Sequence, residues 1–258
     1  NYSGDNSYVN KNLTPQTRST TLYGSTYYVV TSEFRVYLCI NNGVNPDNPE
    51  GQKSTTEPVH TNTSPQPSGG TDGYIWKYLY TISPSDIVKF VTTNLTFIFV
   101  SVIPLPQKWG DATNENIKNA AVDGEVQTIV LKKEGAGVGV GTTDSGTISG
   151  IRISGDGTGG EATVVISNGK VTSVTPSAGG TGYTYGSLKF ITDTYVDGSG
   201  QPATLGVPQS PEDVPQFEVV IPPKGGHGAD IYRELGGFRV MMYAKFDNNV
   251  DDLPDYVV

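Results

Sequence analysis

The chain has 258 residues, a net charge of −9 at neutral pH and a pI of about 4.7. Because an acidic surface repels a phosphate backbone, a nucleic-acid partner is not expected. The 32 glycines, 17 prolines and 15 tyrosines are typical of short strands joined by many turns. Cys39 is the single cysteine, so an intrachain disulfide is impossible and folding in a reducing compartment is acceptable.

Neither membrane insertion nor a secretion signal is expected. The most apolar stretch, residues 97–103, has the length of a strand and is too short to span a bilayer as a helix. The chain starts at Asn1 without a charged-then-apolar leader, which predicts no signal peptide. The lack of an initial methionine leaves open whether the natural start lies upstream.

In chain order, the first predicted elements are strands. A weak strand is predicted at residues 27–31 and a stronger, alternating one at 34–40. Residues 41–73 are polar and rich in proline, which predicts a surface loop with a function, or a disordered loop. Residues 74–82 (YIWKYLYTI) form the second strong strand. Its period of two predicts that its aromatic side chains share one face: Tyr74, Trp76, Tyr78 and Tyr80.

Short helices and further strands follow. Ser83 and Pro84 indicate a helix start, with Ser83 as the N-cap and Pro84 in the first turn, for a helix that ends near Thr92. The next elements are predicted at 95–103 (strand), 115–121 (helix) and 125–133 (strand).

The composition changes after residue 134. Residues 135–186 hold many of the glycines and few bulky apolar side chains, and Asn168-Gly169 between two alternating runs predicts a hairpin. We therefore predict a small glycine-rich β module, inserted into a core of residues 1–134 and 187–258 and removable from it. Strands near 188–192, 217–221 and 238–246 and a helix at 229–235 complete a mainly β fold with two or three short helices on loops.

Residues 225–237 (GGHGADIYRELGG) place four chemically capable side chains between two glycine clusters: His227, Asp230, Arg233 and Glu234. A phosphate-binding loop needs its lysine after the glycines and a long helix, whereas Lys224 precedes them and the predicted helix has barely two turns. A metal site needs further ligands nearby, and the only other histidine, His60, is 167 residues away (227 − 60). The pattern therefore favours a structural connector over a metal, phosphate or acid–base site.

Backbone geometry explains most of this connector. Its first glycines permit positive φ, and Asp230 or Gly228 can cap the short helix. Gly236-Gly237 can end that helix with a left-handed residue. The structural candidates are Gly226, Gly228, Asp230, Gly236 and Gly237. Arg233 and Glu234 are expected to be solvated or paired across an interface.

Other patterns are weak indications of binding or catalysis. Tyr74 and Trp76 could belong to a sugar-stacking platform, but aromatic strand faces are more often buried core or interface. Spacing alone leaves a carboxylate pair for glycoside hydrolysis open, although the acidic residues cluster in loops. The chain has no Gly-x-Ser-x-Gly motif, and Cys39 has no base near it in sequence. No enzymatic activity, cofactor or small-molecule substrate is predicted.

Three segments together resemble the baseplate wedge subunit of T4-like contractile-tailed phages, the product of gene eight. They are residues 34–40 with 54–58, residues 71–82, and residues 225–230 with 234–238 and 240–242; the resemblance covers 34–110 and 205–247. It implies a three-layered β-sandwich with helix-bearing loops, a homodimer, and a structural role among other wedge subunits. It also implies assembly in the host cytoplasm and a final location in the virion tail baseplate. The glycine-rich residues 135–186 depart from this family.

Two other classes of function remain open at this stage. The first is a receptor- or carbohydrate-binding module that uses Tyr74, Trp76 and the loop 41–73. Exposure of the aromatic face distinguishes it, because a binding platform is open to solvent and a sandwich core is buried. The second is a cell-wall glycosidase, which needs two carboxylates in one cleft.

Overall fold

The computed structural model describes residues 27–91, 103–141, 143–188, 210–237 and 240–244, and by backbone alone the short strands at 195–197, 202–203 and 205–206. These residues form a mainly β structure with several antiparallel sheets, as predicted. No helix in the described ranges is long and apolar enough to cross a membrane.

The first sheet contains the two strongest predicted strands. Its strands are β1 (Tyr28–Val30), β2 (Arg35–Asn42), β3 (Gln66–Pro67) and β4 (Tyr74–Thr81). They are antiparallel in the order β1-β2-β4-β3. The loop between β2 and β4 contributes β3 and is bonded to the sheet, so the alternative of a disordered loop is wrong for residues 43–73, and a function of this loop stays a prediction.

The prediction that the four β4 aromatics share one face is wrong for Tyr80. Tyr74 and Trp76 pack with Tyr37, whereas Tyr80 packs with Leu79 in a separate cluster. The β2–β4 register shifts between Val36 and Tyr37 of β2. Val36 pairs with Tyr80 and Tyr37 pairs with Tyr78, so Leu79 between them is the extra residue. This bulge adds one residue to β4 and reverses the alternation beyond it.

The helices within the described residues are short. They are α1 (Pro84–Phe90), α2 (Glu115–Asn119) and α3 (Ile231–Glu234), with one 3-10 turn at Pro211–Asp213. In α1 the Ser83 side chain accepts a hydrogen bond from the Asp86 amide, as its N-cap position predicts. The predicted helices at 115–121 and 229–235 are confirmed with narrower limits.

The rest of the described chain forms a larger sheet and two strand pairs. The strands are β5 (Thr128–Lys133), β6 (Gly139–Val140), β7 (Gly146–Gly155), β8 (Thr158–Ser167), β9 (Lys170–Thr181), β10 (Gly186–Leu188), β11 (Tyr195–Asp197), β12 (Pro202–Ala203), β13 (Leu205–Gly206) and β14 (Gln216–Val220). The sheet has the order β12-β11-β7-β8-β9, with β10 on β7, and the pairs are β13–β6 and β14–β5. The predicted hairpin is confirmed: β8 and β9 are joined at Asn168-Gly169, whose φ angles are 52° and 76°.

The glycine-rich residues share their core with strands on both sides of them in sequence. Ile129 and Leu131 of β5 and Leu188 of β10 are buried in the same cluster as the β7 and β8 side chains, with Phe217 and Val219 of β14 packed against it. The Val126 and Val171 amides donate to the Gly179 and Glu134 carbonyls, each at 2.9 Å, so both ends of β9 are fastened beside β5. The predicted boundaries at 134/135 and 186/187 therefore pass through one core, and the independence of the module stays a prediction.

Some predicted strands lie partly outside the described residues. Residues 92–102, which include most of the strand predicted at 95–103, are outside them, as are 189–194 and the two ends of the strand predicted at 238–246. Residues 240–244 are described and are not a strand, so that prediction is wrong there. Val240 and Met242 are 90% and 93% exposed. Apolar residues favour a strand when one of its faces is buried, and these side chains are not buried.

Candidate functional site: the connector at residues 225–237

Four glycines of the connector have the positive φ angles that the sequence predicts. Gly225, Gly226 and Gly228 have φ angles of 93°, 87° and 90°, and Gly236 ends α3 with φ 66°. Gly226 is also needed for space, because a Cβ atom there would lie 2.3 Å from the Val122 carbonyl oxygen. The connector therefore depends on glycine for backbone conformation and, at Gly226, for a close approach.

Three ionisable side chains of the connector, His227, Asp230 and Glu234, bond to other groups of the connector. The Nδ1 atom of His227 contacts the Oε1 atom of Glu234, while Oε2 of the same carboxylate accepts the Gly228 amide at 2.8 Å. Asp230 caps α3 by accepting the Arg233 amide at 3.2 Å. The Glu234 side chain is only 8% exposed. The expectation that Glu234 is solvated or paired across an interface is therefore wrong, whereas Arg233 is exposed as predicted.

Residues distant in sequence fasten the connector to the first sheet. The Trp109 indole nitrogen donates to the Gly228 carbonyl at 2.9 Å, and the Tyr27 hydroxyl donates to the Glu234 carbonyl at 2.8 Å. Burial, with smaller contributions from Tyr28 and Glu234, raises the pKa of Tyr27 to about 12, so this hydroxyl stays a donor at neutral pH. Ile231 of α3 is fully buried among core residues of β2 and β4.

A buried lysine lies beneath the connector. Lys77 of β4 is fully buried, and its Nζ atom donates to the Thr63 carbonyl at 2.9 Å. A Cβ atom on Gly228 would lie 3.3 Å from the Lys77 Cε atom, so the lysine stem passes directly below that glycine. Burial lowers the pKa of Lys77, and attraction from Glu125 and Glu234 opposes this effect.

The turn before β5 joins the connector to the glycine-rich strands. The Gly225 amide donates to the Asp123 carboxylate at 2.6 Å. The Asp123 carbonyl in turn accepts the Gly182 amide at 2.8 Å and the Thr181 hydroxyl at 3.1 Å. One aspartate thus contacts both the connector and the end of β9.

Tyr74 and Trp76 are not part of the connector. They pack with Tyr37 in their own cluster, with the Tyr74 and Trp76 rings stacked at a centroid distance of 5.2 Å and an angle of 18°. Trp76 is 1% exposed. A buried stack of this kind is not an open platform for sugar binding.

Sequence reasoning found the connector and its glycines but not the residues around it. The sequence does not predict the part played by Lys77, Trp109 and Asp123, because each acts through a contact remote in sequence. Lys77 alone carried a usable signal, since it is the one cation inside an otherwise apolar strand. No group of three or more potential metal ligands occurs within the described ranges.

A separate shallow groove of about 360 Å³ lies between residues 44–48 and strands β5 and β9. It contains none of the predicted site residues.

No family model, no curated protein and no solved structure matches this chain.

Proposed function

We propose that the chain is a structural subunit of the baseplate wedge of a contractile-tailed phage, acting through contacts with other wedge subunits and with a second copy of itself. A structural role is supported by the hydrogen bonds that the connector's polar groups make to one another. The His227–Glu234–Gly228 contacts and the Asp230 cap use this chemistry to fix the backbone. The phage assignment is supported by the resemblance of the three sequence segments.

We further propose that the sheets form the layers of a β-sandwich. Two contacts support this arrangement. The Asn41 amide of the first sheet lies 3.4 Å from the Thr128 hydroxyl of β5, and β5 and β14 share a buried core with the larger sheet. The β14–β5 pair would then be the middle layer.

Exposed apolar side chains support a role in protein–protein contacts. Val88 of α1 and Val240 and Met242 are among the most exposed large apolar residues, and the Phe90 ring meets the Tyr243 ring at 6.5 Å. The ring contact brings α1 and residues 240–244 together, so the exposed apolar side chains of these two segments are the first to examine for assembly.

The assignment is tested in two steps. Light scattering on the purified chain at micromolar concentration should give the mass of a two-fold dimer, as closed symmetry favours. Cryo-electron microscopy of tails labelled with an antibody fragment against the chain should then place the label at the baseplate. A monomeric mass together with no label on the tail would refute the proposal.

A receptor- or carbohydrate-binding module is the second candidate. Burial of Tyr74 and Trp76 argues against it as long as the loop 43–73 stays in place. Binding of labelled glycans at neutral pH, abolished by Trp76→Ala in a chain that remains folded, would favour this alternative.

A further inference from the structure

The segment 52–64, here called the strap, lies against the aromatic cluster of Tyr37, Tyr74 and Trp76. Side chains of the first sheet hold it by donating to its carbonyl groups. These bonds are Tyr74 to Gln52 at 2.6 Å, Arg35 to Val59 at 2.6 Å, Tyr37 to His60 at 2.7 Å and Lys77 to Thr63 at 2.9 Å. Over residues 53–64, no backbone–backbone hydrogen bond to the described part of the sheet supplements them.

Among the described strap side chains, His60 is the one that bonds to a backbone carbonyl of β4, while Gln52 and Thr55 bond to Asp72 just before that strand. The Nε2 atom of His60 lies 3.1 Å from the Trp76 carbonyl oxygen, and its ring meets the Tyr37 ring edge-on at 5.4 Å. A carbonyl only accepts hydrogen bonds, so the neutral ring carries its proton on Nε2 and donates it there. The Nδ1 atom is then an acceptor, and it is buried without a hydrogen-bond partner among the described residues.

Protonation of His60 would place a new donor and a positive charge at this buried Nδ1 atom. Burial lowers the pKa of His60, and the bond to the Trp76 carbonyl opposes the shift only in part. A bonded carboxylate would compensate the charge, but no described carboxylate is bonded to His60. Asp72, the carboxylate that holds the strap at Thr55, also accepts from Ser68 and from the Tyr74 amide. Glu57 accepts from Ser32, and Glu33 pairs with Arg35.

The other ionisable groups that face this region do not stabilise a charged His60. Lys77 on β4 is itself a buried cation held by the strap, and burial lowers its pKa. Tyr37 on β2 has a pKa raised first by burial, so its hydroxyl is neutral over the acidic range. Tyr78 bonds to the Thr81 hydroxyl.

We propose that neutral His60 holds the strap against the first sheet. Protonation of His60 at acidic pH releases the strap and uncovers the aromatic cluster of Tyr37, Tyr74 and Trp76. A lowered folded-state pKa gives the closed strap its full stability above the ordinary histidine pKa of about 6.5. That stability is lost as the pH falls toward and through the lowered value. This device is independent of the proposed role in assembly.

Acrylamide quenching of tryptophan fluorescence tests the proposal directly. Trp109→Phe leaves Trp76 as the only tryptophan, and its burial makes it a reporter of the strap. We expect little quenching at pH 8 and a several-fold larger quenching constant at pH 5, with an unchanged far-ultraviolet circular dichroism spectrum. His60→Gln should remain weakly quenched at both pH values, because the glutamine amide can donate to the Trp76 carbonyl and does not take up a proton.

His227→Gln is the matched control, since it removes the only other histidine and should leave the pH response intact. If Trp109→Phe does not fold, hydrogen exchange of the wild-type chain replaces quenching. Peptides covering 53–64 should then exchange faster at pH 5, after correction for intrinsic rates, while peptides covering the 163–175 hairpin should not. A pH-independent strap would overturn the proposal, and so would a response that survives His60→Gln or disappears in His227→Gln.

Discussion

At the scale of single residues, the Glu234 carboxylate organises the connector. It contacts the His227 ring and accepts the Gly228 amide, and so joins these two adjacent residues to the end of α3. Removing a buried acceptor leaves its donors without partners, which costs more than the net contribution of an ordinary hydrogen bond. The connector's stability should therefore respond more to Glu234 than to its exposed neighbour Arg233.

Glu234→Ala should lower the free energy of unfolding by about 1–3 kcal/mol, because it leaves the Gly228 amide and the His227 ring without their acceptor. Arg233→Ala is the control and should change it by about 0.5 kcal/mol or less, as exposed substitutions usually do. Urea unfolding measures both, with an unchanged m value to show that the unfolded states are comparable. Equal effects of the two variants would contradict this role of Glu234.

Comparison of Gly226 with Gly69 separates the energetic cost of a left-handed backbone conformation from the cost of a steric clash. Gly226 and Gly69 have similar φ angles of 87° and 83°, but a Cβ atom meets the Val122 backbone only at Gly226, and nothing within 4 Å at Gly69. Gly69→Ala should cost about 1–2 kcal/mol from the left-handed conformation alone. Gly226→Ala should cost clearly more in the same urea titration, and a smaller loss than for Gly69→Ala would show that the turn relaxes freely.

At the scale of structural elements, the glycines around β8 and β9 make room for one tyrosine. Cβ atoms at Gly157, Gly160 and Gly180 would lie 2.4, 2.8 and 2.8 Å from the Tyr183 side chain. The buried Tyr183 hydroxyl accepts the Gly160 amide at 3.1 Å and donates to the Ile153 carbonyl at 3.0 Å. This ring thus bridges β7 and β8 in a slot that no larger residue could line.

Tyr183→Phe keeps the ring and removes these two bonds. The Gly160 amide and the Ile153 carbonyl would be left unpaired in a buried site, which should cost about 1–3 kcal/mol. Tyr185→Phe is the control, because Tyr185 is exposed and two residues away. Thermal unfolding compares the two, and faster hydrogen exchange at the Gly160 amide should accompany only the first. A Tyr183→Phe protein as stable as the control would show that the slot tolerates an unpaired amide.

Local patterns predicted the elements whose causes are local. Alternation located β2 and β4, Asn168-Gly169 located the hairpin, and Ser83-Pro84 located the start of α1. The bulge in β4 was not predictable, because it depends on pairing with β2. The pairing of Glu234 was also missed, since helix periodicity gives no information about the contact that His227 makes across the turn.

At the scale of the whole molecule, the shared core changes what residues 135–186 are expected to do. Their composition predicts a removable module, because long surface insertions add little loop-closure entropy. That argument holds only if the flanking strands bury their apolar side chains elsewhere. Ile129 and Leu131 of β5 instead pack with Ile148, Val164 and other residues of the segment itself.

Replacing 135–186 by a short Gly/Ser linker should therefore disrupt β5 and β14 rather than leave a folded core. Exposing large buried apolar side chains costs roughly 1.5–3 kcal/mol for each, and several would be exposed at once. We expect the excised chain to lose protection from hydrogen exchange at 128–133 and 216–220, while β2 and β4 retain theirs. Two fragments provide the control: 123–221, which keeps both flanking strands, should fold, and 135–186 alone should not. A well-folded excised chain together with a folded 135–186 fragment would establish the insertion and refute the shared core as a source of stability.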